Sequence, residues 1–184
     1  MRLPDLKREV LDRFAHSAFD SDPIRADVHD ITHGGVDAVR RTFQGKSWPD
    51  VNLTLDITNI GYSIIFLTFD AYCYYFPCFL TQLTNALLID SSLNESFIDH
   101  LSPKNIDEKT LDFYLALGQH KQVIVAQFLV HAWNHFDDIS ALDALEDFWD
   151  TFLTSEEKKA VYESPEAIRI KTIRLQVTAA NKRR

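Results

Sequence analysis

Apolar residues recur at three- and four-residue steps along most of this chain, and that spacing predicts helices. The strongest run is Ile60 to Asp90, in which Asp70 is the only charge before Asp90. Phe69, Tyr72, Phe76, Phe79, Leu80, Leu83, Leu87 and Leu88 mark one stripe of a helix over about 68–89. Thr68 is a good N-cap for it, Leu67 can staple onto Tyr72, and Asp70 suits the positive end of the helix dipole. Pro77 has no N–H and crowds the carbonyl of Cys73, which predicts a kink. The remaining elements are expected to pack around this helix.

Taken in order, Leu6, Val10, Leu11, Phe14 and Ala18 predict an amphipathic helix from Pro4 to Phe19. Residues 24–35 read as a loop or short element, and Val36 to Gln44 as a short helix with Gly45 after its last turn. Val51, Leu53, Leu55 and Ile57 alternate with polar residues, the period of a strand, and 24–31 is the one stretch able to pair with it. Further helices are expected over Leu93–Leu101, from Ile106 to Leu117 before Gly118, and over Lys121–Phe136 and Ile139–Leu153. Thr154-Ser155-Glu156-Glu157 is a capping box, and Ser164-Pro165-Glu166 opens a last helix with proline at its first position. The expected fold is mainly α: a single-domain helical bundle around the proline-kinked helix, with one short strand pair near 24–31 and 51–57.

Composition adds bounds. A chain of 184 residues, 46% hydrophobic and 25% charged, fits one folded domain able to bury its own core. Cys73 and Cys78 lie five apart on the central helix and point in different directions, so reduced thiols and a cytoplasmic setting are expected. Charges at Asp5, Lys7, Arg8 and Glu9 break up any signal-peptide core. Residues 64–80 include Thr68, Asp70, three tyrosines and a proline, which argues against a membrane span. The net charge is −8, but residues 165–184 carry +5, leaving −13 on the remainder. Such a body repels phosphates, which disfavours nucleic acid as its ligand and favours a basic protein.

One signature stands out. Phe66-Leu67-Thr68-x-x-Ala71-Tyr72-x-Tyr74-Tyr75-Phe76-Pro77-x-Phe79-Leu80 resembles that of a family of small, uncharacterised bacterial proteins. Gly45-Lys46-Ser47-Trp48 ahead of it resembles the family's G-K-x-W step, and Ala144-Leu145-x-x-Phe148-Trp149 its closing A-L-x-x-[YF]-W. Leu117 and Val125-x-x-Phe128-Leu129 fit a further helix of the pattern, although Lys121 stands where that pattern has Gln. The resemblance covers about 39–150. It implies a soluble helical fold among bacterial genes that answer toxins, and no established activity or cofactor.

Candidate chemistry is sparse. His131 and His135 sit four apart on one helix, the spacing at which two imidazoles share a metal, and His29 and His33 repeat it. The metalloprotease form needs Glu after the first histidine, and Ala132 is there instead. No nucleophile elbow, phosphate-binding loop or dinucleotide loop occurs, and no cofactor is implied. The tyrosines at 72, 74 and 75 read as packing residues whose hydroxyls find backbone partners. On the helix over 139–153, Asp143, Glu146, Asp147 and Asp150 follow i, i+3, i+4, i+7, and Asp137 and Asp138 extend that acidic ridge at its start. The ridge suits docking onto a basic protein; a plainly solvated helix face has the same pattern.

Two function classes follow. The first is a non-enzymatic interaction protein, most specifically an immunity-type protein that neutralises a basic bacterial toxin through the acidic ridge. The second is a small metal-dependent hydrolase in which His29, His33, His131 and His135 converge with a carboxylate. A homodimer is compatible with either.

Overall fold

The computed structural model describes residues 3–14, 19–25, 34–54, 63–83 and 92–181. Within them lie ten α-helices: α1 (Leu3–Arg13), α2 (Gly34–Phe43), α3 (Ser63–Phe66), α4 (Phe69–Gln82), α5 (Ser92–Leu101), α6 (Glu108–Ala116), α7 (Gln119–Phe136), α8 (Ile139–Asp147), α9 (Ser155–Tyr162) and α10 (Pro165–Asn181). Two 3-10 turns, Trp48–Asp50 and Trp149–Phe152, join them. The fold is mainly α, as the spacing predicts. Among the described residues no helix is long and apolar enough to cross a membrane.

Helix α4 supplies the aromatic centre of the core, while α7 packs against α1, α8 and α9. Thr68 caps α4 by accepting the amide of Ala71 at 3.1 Å, and Pro77 lies within it. The expected extension to residue 89 falls outside the described residues, beyond Leu83. Tyr72, Tyr75, Phe76, Cys78, Phe79 and Leu80 are buried. Around Phe76 sit the rings of Phe113 at 5.4 Å, Phe97 at 5.6 Å, Tyr114 at 5.8 Å and Phe14 at 6.4 Å, so one side chain gathers α5, α6 and the residue that follows α1. Tilted and edge-on rings at these separations add favourable quadrupole contacts to the burial of their area.

The hydroxyls in this core are all engaged. Tyr114 donates its only hydroxyl proton to the carbonyl of His100 at 2.8 Å. In the 2.6 Å contact between the Tyr72 and Tyr114 hydroxyls, Tyr72 is therefore the donor. Tyr75 reaches the carbonyls of Phe43 and Lys46 at 2.6 and 3.0 Å, which ties α4 to the end of α2. Gly45 stands there at φ +69°, and the Lys46 ammonium covers the last carbonyls of α2, Arg41 and Thr42, both at 2.9 Å.

The expected strand pair does not form in the described residues. Val51 and Leu53 are buried on either side of exposed Asn52, as alternation requires. Their backbone partner, however, is a side chain: the Gln82 amide donates to the Val51 carbonyl at 2.5 Å and accepts the Leu53 N–H at 2.9 Å. Asn52 then turns the chain by accepting the Thr54 amide at 3.0 Å, and residues 55–57 lie outside the described set. Ile24 forms an isolated antiparallel bridge with Leu67 instead, with Arg25 N–H bonded to Phe66 and Thr68 N–H to Pro23. Residues 26–31 are not among those described.

Two helices are shorter than expected. Helix α1 ends at Arg13 and Phe19 is not helical. The helix expected over 139–153 stops at Asp147, because Phe148 leaves helical backbone at φ −158°, ψ −49° and its N–H is shared between the carbonyls of Ala144 and Leu145. The break lets fully buried Trp149 donate its indole N–H to the Leu101 carbonyl at 2.7 Å, fastening the chain to α5. The capping box at Thr154 is complete, and the Ser164 hydroxyl accepts the Ala167 amide to start α10.

Replacing Tyr75 with Phe keeps the ring and removes a donor from the Phe43 and Lys46 carbonyls, the first of which still accepts the Lys46 amide at 3.2 Å. Loss of about 1–3 kcal/mol in urea-unfolding stability is expected, and an unchanged midpoint would show that those carbonyls find other donors.

Candidate functional site

The acidic surface is built on α8, and α5 packs against it. Asp138 is the N-cap of α8 and accepts the Ala141 amide at 3.1 Å. Burial pushes its carboxyl up, amides of Ala141 and Ser140 pull it down, and Asp99 and Glu95 of α5 push it up again. Asp99 also shares a depression of about 170 Å³ with Asp143, Asp147 and Lys104. The Lys104 ammonium is raised first by its hydrogen bond to Asp147, and by the charges of Asp143 and Glu146 beyond it. Six carboxylates, Glu95, Asp99, Asp138, Asp143, Glu146 and Asp147, thus form one acidic patch along α5, α8 and the N-cap of α8. The periodicity of a single helix could not reveal Glu95 and Asp99, since their proximity depends on how α5 crosses α8.

The six predicted ridge residues are not equivalent. Asp143, Glu146 and Asp147 are on α8, but Asp150 lies on the 3-10 turn past the break at Phe148, so its i+7 relation no longer sets its direction. It accepts the Tyr162 hydroxyl at 3.3 Å and pairs with Lys158 at 3.5 Å, both on α9. Asp147 has a side chain only 14% accessible and is held by Lys104 and by the Ser102 hydroxyl. The Arg174 guanidinium of α10 spans Asp143 at 2.5 Å and Glu146 at 3.4 Å. Asp137, exposed, takes left-handed backbone at φ 51° where α7 ends.

The imidazoles of His131 and His135 lie side by side, ring centres 4.1 Å apart. His135 Nδ1 is 3.2 Å from the carbonyl of His131, and His131 Nε2 is buried with no hydrogen-bond partner among the described residues. Burial first, and the neighbouring His135 second, pull the His131 pKa below its ordinary value of 6.5. Among the described residues no three His, Cys, Asp or Glu side chains are grouped to hold a metal. His29 and His33 lie outside the described residues.

A cleft of about 400 Å³ opens where α3 and the start of α4 face α5 and α6, between Ile64, Leu67, Phe69 and Tyr72 on one side and His100, Asp107 and Thr110 on the other. His100 Nδ1 is 2.9 Å from the Ser96 carbonyl, which can only accept, so Nδ1 carries the proton and Nε2 of the neutral ring is an acceptor. Asp107 caps α6 by accepting the Thr110 amide at 2.8 Å. The nearby thiol of Cys73 is pushed up to about 12, by burial and then by Asp70, and burial raises Cys78 further. Both sulfurs are protonated at neutral pH, the unreactive form.

Comparison of the chain with protein-family models, with curated proteins and with solved structures returns no match in any of the three.

Two outcomes are expected from these sites. Asp137 sits in left-handed backbone at the negative end of α7, where both its Cβ and its charge are unfavourable. Asp137→Gly is therefore expected to raise stability by about 0.5–1 kcal/mol in chemical denaturation, and a loss would mean the carboxylate makes a compensating contact. A base whose folded pKa is depressed binds its proton more readily when unfolded, so stability rises with pH through the window just below and around 6.5. His131→Gln should flatten that rise between about pH 5 and 7.5, and a wild-type slope in the variant would assign it elsewhere.

Proposed function

We propose that this chain is a non-enzymatic binding protein that docks a basic protein through the surface shared by α5 and α8. The supporting observation is the acidic patch of Glu95, Asp99, Asp138, Asp143, Glu146 and Asp147 on neighbouring helices, in a chain whose residues 1–164 carry −13. Carboxylates gathered at one place concentrate the field that a body of scattered charge spreads out. Such a field accelerates encounter with a cationic surface and selects against acidic competitors.

The finer form of this reading is an immunity-type role. Enzymes that attack nucleic acid are basic because they grip phosphates, and an acidic protein that imitates the phosphate array can occlude them. The resemblance of Phe66–Leu80 to the signature of bacterial proteins that answer toxins points the same way.

Purified protein immobilised as bait, exposed to a lysate of the cells that make it, tests this. A basic protein should be retained in stoichiometric amount at low salt, and lost when exposed Glu95, Asp99 and Glu146 are together changed to Lys. Retention that survives this charge reversal, with the variant's circular dichroism unchanged, would overturn the reading.

A further inference from the structure

The acidic surface is not bare in this molecule, because an arginine of the chain's own last helix reaches two of its carboxylates. Helix α10 is opened by Ser164, buries Ala167, and packs Ile170 partly against the core. Beyond that point Arg174 reaches α8, its Nη2 meeting Asp143 and its Nη1 meeting Glu146. The side chains of this fork are all substantially exposed, at 41%, 44% and 45%. Ile168, Ile173 and Leu175, on the same helix, are 54%, 49% and 65% exposed. A groove of about 320 Å³ runs beneath it, lined by Glu146, Asp150, Tyr162, Ala167 and Lys171. The attachment is therefore firm at the first turn and electrostatic further along.

An exposed ion pair is weak and is screened within about 8 Å at physiological ionic strength. A helix kept in place by such a pair stays docked because it is tethered, which gives it an effective concentration of order millimolar. From this geometry we infer that α10 is a detachable strap. In the free chain it occupies the acidic face through Arg174, and a basic helix from a partner, presenting an arginine to Asp143 and Glu146, displaces it. The inference rests on the binding reading above and adds two things to it: the chemistry of the incoming element, and an internal competitor that lowers affinity for weak or non-specific cations.

The competitor can be assayed without the natural partner. The probe is a synthetic peptide of residues 165–184, titrated into isotopically labelled full-length protein while the amides of residues 143–147 are followed by NMR. Arg174→Gln in the full chain is expected to strengthen peptide binding about tenfold over wild type, because the resident helix no longer competes. The doubly neutralised Asp143→Asn, Glu146→Gln chain should show no shifts at these amides, and neither should a peptide that itself carries Arg174→Gln. Equal affinity in wild type and Arg174→Gln, no binding to either, or binding indifferent to Asp143 and Glu146 would each overturn the strap. Hydrogen exchange guards against a misfolded variant: amides beyond residue 170 should exchange about tenfold faster in Arg174→Gln, while those of α4 stay as in wild type. Lysate capture that fails on charge reversal but is unchanged by Arg174→Gln would sink the strap and leave the binding reading standing.

Discussion

A phenol carried into an apolar core has to find a hydrogen-bond partner there, and α4 carries two. Tyr72 donates to Tyr114, which donates to the end of α5, so a chain of two hydroxyl protons links α4, α6 and α5. Tyr75 spends its proton on the carbonyls that close α2. Trp149 does the same for the last carbonyl of α5 from the far side of the core. Apolar packing alone would let these short helices slide against one another. Directed bonds from large rings fix both where each helix lies and where it stops.

On that rigid frame the distribution of charge becomes a contact. Residues 165–184 hold an excess of cations and the rest of the chain an excess of anions. Folding brings Arg174 onto Asp143 and Glu146, Lys104 onto Asp147, and Lys158 onto Asp150. Each pair relieves the mutual repulsion of a crowded acidic face, and each leaves its carboxylates partly in contact with solvent. The acidic face is thereby partly neutralised from within the chain while its carboxylates stay in reach of solvent.

The helices were legible in the sequence because their signals are local. Thr68, Thr154 and Ser164 cap where their side chains predict, and the stripe through Tyr72, Phe76 and Phe79 is buried. What was not legible depends on distant partners. Val51 and Leu53 alternate as a strand does, yet it is Gln82, about thirty positions away, that completes their hydrogen bonding. An unbroken helix through Phe148 satisfies the period equally well, but it would give up the reach of Trp149 to Leu101. Asp143, Glu146 and Asp147 were visible as an i, i+3, i+4 pattern and Asp138 as its extension, whereas Glu95 and Asp99 of α5 were not. Lys121 departs from the glutamine of the resembled pattern, and its ammonium stands 4.8 Å over the ring of Phe14.

Helix α7 has a boundary condition at each end. Gly118 enters it at φ +76° and Asp137 leaves it at φ 51°, while its interior packs against α1, α8 and α9. Both flanking residues have positive φ, which interrupts the run of helical backbone and marks where α7 starts and stops. One residue added inside would turn everything beyond it by about 100° and carry Trp133 and Ala132 out of their packing. Over evolutionary time, length variation in this chain is thereby directed away from α7 and towards the connecting segments.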